Sequence, residues 1–104
     1  MLPATETAKV RLVTVIAGEE LVDGILENLR AIGATGFTVA RVEGRGHHGL
    51  RHRNFFALAN ARIEVLLGTE HAERLLERLA QAYAGRQVVM FFHDVEAWPK
   101  AHFD

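Results

Sequence analysis

Four arginines and a single acid fall between Arg41 and Arg53, so thirteen residues carry a formal charge of +3 while the whole chain carries −1. Arg41, Arg45, Arg51 and Arg53 are interleaved with Gly44, Gly46 and Gly49, against the one carboxylate of Glu43. Glycine lets backbone N–H groups come close to an anion and arginine offers planar paired donors, so the two together suit a phosphate or carboxylate cradle. The same composition also suits a solvated surface loop, and residue types alone leave both readings open. His47, His48 and His52 add imidazoles to the segment. Adjacent histidines seldom point the same way, and the spacing matches no structural zinc pattern. Elsewhere, Arg62 and Glu64 read either as a cross-strand ion pair or as a ligand contact, and His93 and Asp94, ending the last apolar run, are candidates to line a cleft. The chain has no Gly-x-Ser-x-Gly elbow, no phosphate-binding lysine loop and no paired acids placed beside a histidine, so no catalytic activity is expected.

These residues need elements to hold them. Lys9 to Ala17 (KVRLVTVIA) is rich in β-branched residues and reads as a strand with little polarity on either face. Leu21, Val22, Ile25, Leu26, Leu29 and Ile32 recur at three- and four-residue spacing, which predicts a helix from Glu19 to Ile32 that Gly33 ends. Phe37 to Glu43 alternates as a second strand. A long loop, about 45–59, separates it from a third strand, Asn60 to Leu67. Thr69 is placed to cap a second helix whose stripe is Ala72, Leu75, Leu76, Leu79, Ala80 and Tyr83, with Gly85 as its stop. Gln87 to Val95 is an apolar fourth strand. The order predicts an α+β, ferredoxin-like βαββαβ sandwich with both helices on one face of the sheet, a single domain over 1–104 with terminal tails at 1–8 and 97–104.

Composition fits that size. The 104 residues are 49% hydrophobic and 24% charged, too apolar for disorder and too interrupted by charge for a membrane span. Without cysteine there is no disulfide framework, and without an apolar leader the expected compartment is the cytoplasm. Near-neutral charge gives no general attraction to nucleic acid or lipid. An RNA-binding sheet of this topology needs stacking aromatics on its two central strands, and KVRLVTVIA and NARIEVLL carry none. Val13, Val15, Val89 and Phe91 are expected on the face that the helices leave bare. Full exposure of half of them would cost roughly 3–6 kcal/mol, comparable with the stability of a small domain, so another copy of the chain is the expected cover.

From Gly33 to Leu67 the sequence resembles the PII signal-transduction superfamily. A Gly-x-x-Gly-x-Thr-Val segment and a Gly-x-Gly turn lead into the long loop, the T-loop of that family, and an Ile-Glu-Val strand follows. The resemblance extends over about residues 9–96. It implies a homotrimer that binds adenine nucleotides in clefts between subunits and contacts partner proteins through the T-loop. There are departures from classical nitrogen-regulatory members. The loop lacks their tyrosines, and His48 and Asn60 stand near a glutamine and a lysine that hold 2-oxoglutarate. Gly85 passes through Arg86 and Gln87 straight into the last strand, without the loop that grips ATP phosphates.

Gly44-Arg45-Gly46, Arg51, Ala59-Asn60 and Asp94-Val95-Glu96 are similar to the carboxysome-associated and SbtB-like PII-like group, which binds AMP, ADP or cyclic AMP and is associated with bicarbonate. The lack of a cysteine pair in the tail tilts the choice toward the carboxysome-associated branch. The resemblance implies a nucleotide site of Thr35, Gly36, Thr38, Gly44, Arg45, Gly46, Arg51, Asn60, Phe92 and His93. For bicarbonate it implies Gly46, His48, Gly49, Arg51 and Arg53. No catalytic cofactor is expected. The expected ligands are ADP or AMP, with ATP and cyclic AMP as further candidates, and bicarbonate. The expected partner is a bicarbonate transporter or carboxysome-related protein, with no nucleic acid and no membrane insertion. The alternative is a trimeric, CutA-like metal-binding protein that uses the loop histidines.

Overall fold

The computed structural model describes residues 5–42 and 60–103. β1 (Ala8–Gly18) leads through a 3-10 turn, Glu19–Leu21, into α1 (Val22–Ala31), followed by β2 (Thr38–Val42), β3 (Asn60–Leu67), α2 (Thr69–Tyr83) and β4 (Val88–Ala97). The four strands form one antiparallel sheet in the order β2-β3-β1-β4, so β2 and β4 are its edges. This is the expected βαββαβ order of an α+β, ferredoxin-like sandwich.

Strand register assigns the faces. Val39, Ile63, Val15 and Met90 lie in one row across the sheet, and Val65, Val13 and Phe92 in another. Ile63, Val15, Met90, Val65, Val13 and Phe92 pack with Ile25, Leu29, Leu75 and Leu79 of the helices as the hydrophobic core, while Val39, on the edge strand, stays exposed. The intervening rows, Thr38–Glu64–Thr14–Phe91 and Leu66–Leu12–His93, look away from the helices. The expectation for Val13 and Val15 is therefore corrected: both are fully buried under the helices, while Val89 and Phe91 occupy the open face as expected. The residues of β1 are apolar on both sides, and only pairing with β3 and β4 decides which side the helices cover.

Helix ends follow local chemistry. α2 begins after Gly68, whose extended backbone (φ −64°, ψ 159°) takes the N-cap position, so Thr69 is the first helical residue rather than the cap. The carbonyl of Gly68 accepts the Ala72 N–H at 2.9 Å and starts the helical bonding. Gly33 and Gly85 end the two helices at φ +89° and +81°, the left-handed region where a Cβ is unfavourable. α1 starts three residues later than its apolar period suggests, because the first turn is wound as 3-10.

β2 ends at Val42 and β3 resumes at Asn60, the two residues paired across the strands. The strands thereby bracket the expected T-loop, whose residues lie outside those described.

Candidate functional site

A cleft of about 600 Å³ opens at the β2 side of the sheet. The link from α1 to β2 supplies Thr35 and Gly36, and the first residue of β2 supplies Thr38, brought there because Gly33 turns the chain out of α1 and back along the sheet edge. Glu64 and Leu66 of β3 form its floor on the open face, Thr38 being paired with Glu64 in the strand register. Glu64 is held by Arg62, with Nη2 3.2 Å and Nε 3.3 Å from its Oε2. This pair runs along one strand, two residues apart, and not across strands. It fixes a carboxylate beside the Thr38 hydroxyl, so the cleft combines hydrogen-bonding groups with the apolar surface of Leu66. Its size is that of a small-ligand pocket.

A second recess, of about 510 Å³, lies at the other end of β3. Asn60, buried at the start of β3, lines it with Glu19, Glu20, Arg86 and Gln87. Arg41, next to last in β2, reaches Glu19 with Nη2 2.6 Å from Oε1 and ties the exit toward the long loop to the turn after β1. Arg86 sits in the short connection Ala84–Gln87 between α2 and β4, which is closed by hydrogen bonds from Arg86 N–H to the Tyr83 carbonyl and from Val88 N–H to the Arg86 carbonyl, both 2.9 Å. So tight a connection leaves no span of chain to wrap a polyphosphate.

The remaining candidates separate. Phe92 faces the helices, packed against the core with the Arg11 guanidinium 5.4 Å from its ring centroid. His93, its neighbour, faces the open side and lies 6.0 Å from the Phe91 ring, edge to face. Strand alternation puts them on opposite faces, and β4 is the edge away from Thr38. One copy of the chain therefore brings Thr35, Gly36 and Thr38 together, places Asn60 at a separate recess, and puts His93 across the sheet. Gly44, Arg45, Gly46, His48, Gly49, Arg51 and Arg53 lie outside the described residues, as do His47 and His52. Among the described residues no three metal-ligating side chains cluster. Asp94, exposed on β4, pairs with Arg11 at 3.1 Å.

Sequence reasoning did not single out His71 in the first turn of α2, nor His102 and Phe103 from the C-terminal segment, all of which line the larger cleft. The segment reads as a tail because it has no period. Its only sequence signal is an aromatic pair following Trp98-Pro99.

The family model described as Nitrogen regulatory protein P-II matches residues 10–100. The chain belongs to the P-II family. Solved structures agree with this P-II assignment. A Thermus thermophilus protein described as PII-like and signalling is 26% identical, with a TM-score of 0.78, over 96% of this chain and 100% of its own. CPII of Thiomonas intermedia K12, a nitrogen regulatory PII-like protein solved with ADP, AMP and bicarbonate, is 20% identical, with a TM-score of 0.74, over 88% of this chain and 96% of its own. CPII with ADP and bicarbonate gives 21% and 0.75, over 90% and 93%. No curated protein sequence matches this chain. No described helix is long and apolar enough to cross a membrane.

Proposed function

We propose that this P-II family chain is a non-catalytic regulator that assembles as a homotrimer, binds AMP or ADP in clefts between subunits, and takes bicarbonate as a second ligand. The observation that carries the reading is the split of its candidate residues between the two edges of the sheet, Thr35, Gly36 and Thr38 at one and His93 at the other. Such a division suits a site completed where the edge of one copy meets another. The open face between those edges, with Leu66 and Phe91 among its exposed apolar side chains, gives a second copy something to bury. The ligands named for CPII support the choice of adenine nucleotides and bicarbonate.

In this reading Thr35, Gly36 and Thr38 border the adenosine. Backbone N–H groups of Gly44 and Gly46, with Arg45 and Arg51, hold phosphate, and Asn60 lies at that end of the site. Of the two β4 candidates, His93 on the open face is the one placed to meet a neighbouring copy, while Phe92 supports the strand from the core. Gly46, His48, Gly49, Arg51 and Arg53 are the candidates for bicarbonate. The tight Ala84–Gln87 connection favours AMP and ADP over ATP, because a third phosphate finds no loop there to grip it. Nucleotide binding changes the surface that the 45–59 loop offers to a partner in inorganic carbon uptake or a carboxysome. Calorimetric titration with AMP, ADP and ATP tests the reading: the first two bind and ATP binds more weakly. The absence of heat with all three at millimolar ligand would contradict it.

A further inference from the structure

The segment after β4 does not trail away from the sheet. Beyond Trp98-Pro99, Lys100–Phe103 form a 3-10 turn that returns to the start of β1. There the Lys100 N–H donates to the Glu6 carbonyl at 3.2 Å, and Lys100 Nζ lies 3.7 Å from Glu6 Oε2. This anchorage carries His102 and Phe103 to the larger cleft, which Thr38 and Glu64 also line. The two rings meet edge to face, with centroids 4.9 Å apart and planes at 80°, an arrangement that aromatic quadrupoles favour. Phe103 is half-buried and His102 exposed.

A cleft lined by aromatic rings together with a carboxylate and a hydroxyl matches one ligand shape well, a flat heteroaromatic ring whose faces are apolar and whose edge is polar. We infer that Phe103, braced edge to face by His102, forms the wall on which the base of a bound purine nucleotide stacks. The inference rests on the nucleotide reading and adds the residues that would recognise the base. Thr38, Glu64 and Leu66 hold their positions through the sheet, whereas the aromatic wall is carried by the return of the C-terminal segment to β1. Base recognition in this chain thus depends on a segment outside the βαββαβ core.

The test is calorimetric binding of AMP, and of ribose 5-phosphate, which has the sugar and phosphate but no base, to the full chain and its variants. Base stacking on an aromatic side chain is strong enough that Phe103→Ala is expected to weaken AMP about ten-fold. Phe103→Leu, which keeps apolar bulk without a π face, is expected to show most of that loss, Phe103→Tyr is expected to bind as the parent does, and ribose 5-phosphate is expected to be insensitive to all three. AMP binding unchanged in both Phe103→Ala and Phe103→Leu overturns the inference while leaving the nucleotide reading intact. Equal losses for AMP and ribose 5-phosphate also overturn it, since the segment would then be a structural prop. Failure of the parent chain to bind AMP removes the nucleotide reading itself, and the inference with it.

Discussion

Thr38 and His93 share the open face of the sheet but stand on opposite edge strands, with β3 and β1 between them. Three strand spacings separate the edges by about 14 Å. A ligand touching both residues of one chain would have to cross the two middle strands of the sheet, whereas one lying between two chains meets the edge of each. In the proposed reading, that relationship makes assembly a condition of binding. Phe91→Glu, which places a charge on the open face, is expected to give single-chain particles in light scattering and to lose ADP binding. A monomer that keeps full ADP affinity would show that the site closes within one chain.

In the proposed site, Arg45 and Arg51 of the arginine-rich loop meet phosphate. Arg45→Ala and Arg51→Ala are each expected to weaken ADP about ten-fold, in line with loss of a charge-assisted hydrogen bond, while adenosine binding changes little. Equal losses for ADP and adenosine in calorimetry would mean that these arginines do not meet phosphate.

How much of this is legible in the sequence differs by element. The bounds of β3, Asn60–Leu67, follow from alternation alone, and the ends of both helices from Gly33 and Gly85, whose positive φ is what glycine is suited to supply. The face of β1 is not legible, because Val10, Leu12 and Ile16 are as apolar as Val13 and Val15, and only long-range pairing chooses between them. Thr35, Gly36 and Thr38, singled out by the family resemblance, line one cleft. Phe92 and His93 read as a pair in the sequence, although adjacent strand residues must face opposite ways. The places of His102 and Phe103 depend on where the chain goes after Pro99, which no periodicity encodes.

Arg11 illustrates how unequal the partners of one ion pair can be. Its side chain is 22% exposed and lies over the Phe92 ring, whereas Asp94 is 82% exposed. Thermal unfolding is expected to show Arg11→Ala destabilising by about 1–2 kcal/mol, through lost packing and cation–π contact, and Asp94→Ala by less than about 0.5 kcal/mol, because exposed pairs contribute little. Equal costs would place the stabilisation in the ion pair.

Gly24 in α1 faces the hydroxyl of Tyr83 in α2, which a Cβ at that position would strike. Nearby, Asn28 joins the helices, donating to the Gly24 carbonyl at 2.9 Å and accepting from Arg78 Nε at 3.0 Å. Gly24→Ala gains helix propensity of about 1 kcal/mol but displaces the ring. With Tyr83→Phe the obstruction goes and the gain is expected to emerge in full. A double-mutant cycle in urea checks this, and additive effects would show that the hydroxyl does not limit the approach of the helices.

Native mass spectrometry of the protein with ADP addresses the central claim most directly, since one spectrum reports both assembly and occupancy. The expected species is a trimer carrying up to three ADP molecules, with negligible ADP on any single chain; a single chain that retains ADP, or a trimer that takes none, would contradict a site built between copies.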